Sequence, residues 1–470
     1  GPGHQRLAGA RTGTPCDMAA DFAARYPKIA GRLGLDSPEV QDPHIERLLE
    51  GFAFLTARTQ LKLQEEYPEF TAQLLARVVP GAVCPVPAMG VVKLSLNLAD
   101  PALKQGLEIP QGSRLLGQPG KAQQTPCTFT TAHALRLWPI ELSQLAHGPC
   151  SVQGRGRSAI SLRLSLTQTL SWGDLKGLDH LDFHVGGPSA LAFSWVDRFS
   201  TQAVGVAIRT EGSSTWRLAP ELTLEFPGFA NHEALLPQWP TTFSGLRLLQ
   251  EFMVCPERFL FIRLRGLAAC LGRMGRAPVE LAIVFHDRRA DLDTVVAEDT
   301  LLLHCTPVVN LFSHRCDRVP LDDTQTAFHL IPNRTRPLDF EVHSVQEVNL
   351  HAPDGVTPVL PLYGSPQQSR QEGAVARYSV DRRLTVMSDR AQRDGHRSGH
   401  VGTESYLCLS RTASELLGQH PLANLEQGKS TLMRQALQLE VQALCSNRDL
   451  PMLMPVGVGN TDLHDTLGLP

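Results

Sequence analysis

The residue types able to do chemistry fall into four short groups along the chain. His304, Cys305, His314 and Cys316 supply imidazole and thiol, the ligands zinc prefers, but their spacing matches neither paired-ligand pattern of structural zinc sites. Buried thiols and a surface loop are the better expectation, with no metal. "HDRRADLD" places Asp287, Asp291 and Asp293 after a strand-like run, where paired carboxylates could serve as acid and base. No second carboxylate cluster stands out to converge with them, so a solvated, charged turn is expected. "GRGRS", 154–158, lacks the lysine and spacing of a phosphate loop and precedes a strand rather than a helix, which reads as a hairpin turn. In "CSNRDLP", Asn447 and Asp449 can bond backbone groups and hold a turn, while Arg448 can fork onto a carboxylate of a neighbouring strand or subunit. That combination suggests a structural corner and a candidate partner contact, with no nucleophile and base beside it. Nucleophile-elbow, zincin, Walker and Rossmann fingerprints are all missing, so an enzyme is unsupported and no cofactor is expected.

The elements that must position these groups change character along the chain. Residues 1–16, "GPGHQRLAGARTGTPC", have no periodicity and predict no element. From 17 to 89 the pattern is helical: a segment in "DMAADFAARYPKIAGRLG", a long helix in "DPHIERLLEGFAFLTARTQLKLQEEYPEF", and another in "PEFTAQLLARVV". Asp42 and Pro43 start the long helix, and Pro68 is expected to end it and begin the next, which Pro80 stops. Its length would be roughly 37 Å. Ile45, Leu48, Leu49 and Phe52 form one stripe, and Phe54, Leu55 and Leu61 lie outside it, more apolar surface than one partner can cover.

After residue 90 the period becomes two. "VVKLSLNL", "ISLRLSL", "LDFHV", "ELTLEF", "FLFIRLRGL" and "PVELAIVF" read as half-buried strands separated by Gly- and Pro-containing loops, with one short helix near "SALAFSWVDRF". The expected class is α+β: a helical N-terminal domain at 17–89, then β-rich regions at 90–305 and 306–470 built from antiparallel sandwiches or barrels. Residues 365–403 are crowded with polar types and predict a long loop.

Composition narrows the function. The chain has 470 residues, 42% hydrophobic and 19% charged, with a formal net charge of −3. That balance argues against a dedicated nucleic-acid binder. No apolar run is long enough to span a bilayer and no secretory signal is evident, so direct membrane insertion is not expected. Ten scattered cysteines with no C-x-x-C pair fit a reduced, cytosolic chain.

The blocks "FAARYPKIAGRLGL", "DPHIERLLEGFAFLTARTQLKLQEEYPEFTAQLL", "LLPQWPTTFSGLRLLQEFMVCPERFLFIRLRGL", "LHCTPVVNLF", "RPLDFEVHSVQEV" and "CSNRDLP" stand here in the order found in the TssF family, also called VasA or ImpG. The chain resembles that family of type VI secretion baseplate subunits from about Asp17 to Pro451. The resemblance implies a non-enzymatic wedge component similar to wedge proteins of contractile phage tails. It also implies two copies around one TssG, together with TssE and TssK, self-association within the wedge, and six wedges surrounding the VgrG spike on the cytoplasmic side of the inner membrane. The family normally opens with a tyrosine-rich helical stretch, where "QRLAGARTGTPCDMA" stands here, and continues well past "NRDLP". Contacts made by those two ends are therefore expected to differ.

Combined with the residue reading, the resemblance makes Phe54, Leu55 and Leu61 candidate partner contacts, with Arg47 and Arg58 fixing register at the rim and Asn447, Arg448 and Asp449 a second candidate. The competing class is a β-sandwich carbohydrate-binding module. It would need exposed aromatics, but these residues are only 6% of the chain and show no close Trp or Tyr cluster.

Overall fold

The computed structural model describes residues 24, 26–28, 43–96, 105–121, 123–154, 156–167, 170–210, 215–272, 274–292, 296–321, 325–352, 355–363, 376–385, 400–410, 438–457 and 461–465. The chain divides into two compact units, Gly1–Val83 and Cys84–Pro470. Most of the predicted first helical segment lies outside the described residues.

In the first unit one helix, α1, runs Pro43–Val78 without a break. Its 36 residues make it about 54 Å long at the α-helical rise. The expected stop at Pro68 is corrected: the helix passes through it. A proline removes one N–H from the ladder and crowds the preceding turn, a local penalty. Good helix formers on both sides, Leu61 to Glu66 and Ala72 to Ala76, let the helix continue across it.

The second unit is built from sheets whose pairings are antiparallel except for the short match of Leu360–Pro361 with Arg377–Leu384. Two of its cores are sandwiches. In the first, Ile140–Pro149, Ser158–Leu166, Val279–Phe285 and Ala203–Thr210 form one sheet and His180–Val185, Phe261–Arg265 and Leu301–Leu303 the other. Leu162, Leu164, Ile283, Phe183 and Ile262 meet between them, and the helix α2, Ser189–Thr201, adds Trp195 and Phe199. Alternation explains the registers: Leu162 faces Leu281 while Arg163 pairs with Glu280 on the other face.

In the second sandwich, Phe312–Arg315, Gln438–Ser446 and Glu341–Ala352 lie in one sheet and Ala327–Leu330, Thr403–Ser410 and Arg377–Leu384 in the other. Leu439, Val441, Val348, Leu407, Phe328 and Tyr378 fill the space between. The strand Arg377–Leu384 lies inside the stretch expected to be a polar loop. Ala376 and Tyr378 are buried, so the period-two signal was present but short and flanked by polar residues. Residues 365–375 and 386–399 of that stretch lie outside the described residues.

A further sheet ties distant parts of the chain together. Met89–Lys93 pairs with Cys305–Val309, which pairs with Thr128–Thr131, then Arg114–Gly117, and at the far edge Leu463–Asp465. The division expected at 305/306 therefore falls inside a strand, and residues 84–470 form one compact unit. A second helix of the β unit, α3 at Ser244–Val254, was not anticipated.

Candidate functional site

The long helix α1 presents large apolar side chains to solvent. Phe54 and Leu55 are 55% and 59% exposed. Phe52, expected to close the subunit's own core, is exposed as well, and Leu61, expected to face outward, is half-buried. Past Pro68, Phe70, Leu74 and Val78 continue an exposed stripe at four-residue spacing. Arg47 and Arg58 are exposed on the same helix. Ile45, Leu48 and Leu49 have side chains outside the described residues. Isolated exposed apolar residues are ordinary, whereas here they stand in a run along one helix.

The Asn447–Arg448–Asp449 group is an internal corner. Asn447 is fully buried; its Oδ1 accepts the Thr128 N–H at 2.8 Å and the Asn310 Nδ2 at 2.9 Å. In return Asn310 Oδ1 accepts the Asn447 N–H at 2.7 Å, and Asn310 Nδ2 also donates to the Thr128 carbonyl at 2.8 Å. Two side-chain amides thus lace the sheet carrying Thr128 to the strand Gln438–Ser446, satisfying backbone groups where the ladder is interrupted. Arg448 takes a left-handed φ of 52° and its guanidinium covers Gly402, where any Cβ would collide with it. Asp449 is buried, and its carbonyl accepts the Met452 N–H in the short helix that seats Leu450 in a core. The expectation of a partner contact is corrected for Asn447 and Asp449, which are enclosed by their own chain.

Of the other sequence candidates, His304 and Cys305 are both buried. Burial, followed by the positive charge of Lys93, pulls the His304 imidazole down to about 4. Burial pushes the Cys305 thiol up to about 12, the state of an inert core thiol rather than a nucleophile. His314 stacks on Phe340 at 5.2 Å, and the Cys316 N–H donates to the Val441 carbonyl. Among the described residues no group of three or more His, Cys, Asp or Glu is arranged to hold a metal ion. Asp287 is paired with Arg198 at 3.1 Å and Asp291 with Arg289 at 2.6 Å, while Asp293 lies outside the described residues. Gly154, Gly156 and Arg157 lie in the hairpin between Ile140–Pro149 and Ser158–Leu166, both glycines at positive φ, and Arg155 lies outside the described residues. At Gly156 a Cβ would also collide with Val284.

The feature that sequence reasoning missed surrounds α3. Arg247 and Glu251, one turn apart, are buried, as are Arg258 and Glu233. Glu251 Oε1 accepts the N–H groups of Leu235 and Leu236 at 3.1 and 3.0 Å and Arg247 Nη1 at 3.0 Å, and its other oxygen is paired with Arg258. Arg258 Nη2 donates to the carbonyls of Gly228 and Glu233. Burial, with the charge of Arg247 adding to it, lowers the Arg258 guanidinium to about 10. The signal available in the sequence was "LRLLQEFMV", a helical period whose two charges fall on one face, although nothing in it says which face turns inward.

The chain matches the family model described as "Type VI secretion system, TssF" over residues 16–468. It is 38% identical over 457 residues to the type VI secretion system component TssF1 of Pseudomonas aeruginosa, covering 95% of this chain and 71% of the relative. Among solved structures it is similar to a chain of the type VI secretion system TssK–TssF–TssG baseplate subcomplex, with a TM-score of 0.65 and 22% identity. That match covers 89% of this chain and 72% of the other.

Proposed function

The chain belongs to the type VI secretion system TssF family, and from that premise we propose that it is a structural subunit of the baseplate wedge, acting through protein surfaces and not as an enzyme. Its partners in this reading are TssG and TssK, the proteins named with the TssF chain of the similar structure. Two copies join one TssG, and TssE and the VgrG spike complete the assembly. Its place is the cytoplasmic side of the inner membrane. No described helix is long and apolar enough to cross a membrane.

The observation that carries the reading is the exposed apolar surface of α1. Phe52, Phe54 and Leu55 in its first half, and Phe70, Leu74 and Val78 in its second, stand in water. Burying apolar area contributes about 25 cal/mol per Å², and a few large side chains carry most of an interface. Arg47 and Arg58, exposed nearby, supply register at the rim. Arg448 is half-buried against Gly402.

Co-expression with TssG and TssK of the same system, followed by light scattering, tests the proposal. A stable complex with two copies of this chain per TssG is expected. Phe54→Asp is expected to abolish it while the isolated chain keeps its melting temperature. Separate, folded proteins from the unsubstituted chain would overturn the assignment of partners. Unfolding by Phe54→Asp would instead make α1 a core element.

A further inference from the structure

Helix α3 is tied by charges to the segment before it, and that segment is tied by leucines to a different part of the molecule. Residues 228–236 form no strand and only one short helical turn, Asn231–Glu233. Towards α3, Glu251 Oε1 takes the N–H groups of Leu235 and Leu236, and Arg247 Nη2 donates to Asn231 Oδ1 at 3.2 Å. Arg258, in the turn Pro256–Phe259 that follows α3, reaches the carbonyls of Gly228 and Glu233. Glu233 closes the segment on itself, its carboxylate accepting the Gly228 N–H at 2.6 Å. Away from α3, the Leu235 and Leu236 side chains are buried with Ala132, Val309 and Leu311, and Met89 and Leu444 pack against them. Gln111 Nε2 adds a polar tie, donating to the carbonyls of Ala132 and His232 at 2.7 and 3.0 Å. These leucines sit at a joint. Cys305–Val309 belongs to the sheet with Met89–Lys93 and Thr128–Thr131, whereas Phe312–Arg315, just beyond it, belongs to the second sandwich beside Gln438–Ser446, the strand that carries Leu444.

We propose that residues 228–236 are a strap coupling α3 to this joint, with Glu251 as its positioning residue. Leu235 and Leu236 lie in no strand, so their buried N–H groups depend on the Glu251 carboxylate, which also answers Arg247 and Arg258. Moving α3 alone would leave two backbone donors and a buried carboxylate unpaired at once, a large penalty. The strap therefore moves with the helix. Its two leucines then shift against Val309, Leu311 and Leu444, where the chain crosses from one sheet to the next. The outer side of α3, with Phe243, Leu249 and Met253, is exposed, so the helix can be displaced from without while its inner side holds the joint. Coupling of this kind is reciprocal: loosening the leucines at the joint must loosen α3.

Native-state hydrogen exchange on the full chain, read residue by residue, is the test. The joint is reported by the Asn310 N–H, bonded to the Ala88 carbonyl at 2.8 Å, and by the Ala132 N–H, bonded to the Pro307 carbonyl at 3.0 Å. The Cys255 N–H, bonded to the Glu251 carbonyl at 2.8 Å, reports on α3. Rates are taken relative to the Ala219 N–H, bonded to the Val206 carbonyl at 2.9 Å in the first sandwich, so that a general loss of stability cancels. Glu251→Gln is expected to speed exchange at both joint reporters by about tenfold or more, although it bonds to neither. Leu236→Ala, which leaves every charge in place, is expected to speed exchange at Cys255 by a similar factor. In the double variant the two effects should fall short of their product, as coupled sites require. Joint reporters unmoved by Glu251→Gln, Cys255 unmoved by Leu236→Ala, or effects that simply multiply would each overturn the proposal. If Glu251→Gln does not fold, the response of Cys255 to Leu236→Ala decides alone.

Discussion

Helices α2 and α3 lie in the same unit and differ little in length, yet one hides its apolar side and the other its charges. In α2, Trp195 and Phe199 enter the sandwich core and pack on Phe285 at 6.2 and 5.7 Å. Even its buried Arg198 follows the rule, lying over the Phe285 ring and donating to Ser158 Oγ and to Asp287. In α3 the inward Glu251 accepts the N–H groups of Leu235 and Leu236, and the neighbouring Arg258 donates to the carbonyls of Gly228 and Glu233. What lies beneath a helix decides which side goes in: a sheet face selects Trp195, an irregular loop with unpaired backbone groups selects Glu251.

A large effect should come from removing the centre of the α3 network. Glu251→Leu leaves Arg247 and Arg258 buried without their carboxylate, and a loss of about 3–5 kcal/mol is expected in chemical denaturation. Replacing all three with apolar residues of similar volume should recover most of that loss. Recovery would show that the network orients α3 more than it stabilises the fold, and no recovery would place α3 with α2 as a core helix.

Acid should act next, on buried imidazoles elsewhere in the unit. Burial lowers His304 to about 4, and burial together with Arg382 lowers His343 to about 3. Both are neutral in the folded chain while the unfolded chain takes up protons below about pH 6.5. The unfolded state then binds more protons, so stability falls as pH drops from about 6.5 toward 4 for His304 and 3 for His343. The slope is about 1.4 kcal/mol per unit for each histidine. Unfolding free energies measured across that range check it, and His343→Gln should flatten the slope.

Asn310→Ala leaves Asn447 and Thr128 with unpaired groups in the interior, and about 1–3 kcal/mol should be lost. The smallest effect belongs to the outer face of α3. Met253→Ser should change the stability of the monomer by less than about 0.5 kcal/mol, while Trp195→Ala on α2 should cost about 3–5 kcal/mol. Equal losses at the two positions would erase the contrast between the helices.

Much of the fold was legible because local periodicity survives packing. "ISLRLSL" and "PVELAIVF" alternate, and the structure pairs them so that Leu162 meets Leu281. "SALAFSWVDRF" carries a helical stripe ending in a sheet core. The family blocks were legible as well, since they are ordered strings. Pro68 misled because a breaker's local penalty was weighed without the helix formers around it. The candidate surface was legible only as an excess of apolar residues on α1, and Phe52 shows that the sequence could not assign faces to it.

By itself the sequence determined which segments alternate, which recur at helical spacing, and that no zinc-site, phosphate-loop or triad pattern is present, because these depend on neighbours a few residues away. Tertiary structure alone decided that Leu463–Asp465 returns to Arg114–Gly117, that Asn447 closes on Asn310, and that α3 faces water with Phe243 and Met253. Each of these depends on groups far apart in the chain, whose unpaired backbone atoms and charges acquire a preference only when folding brings them together.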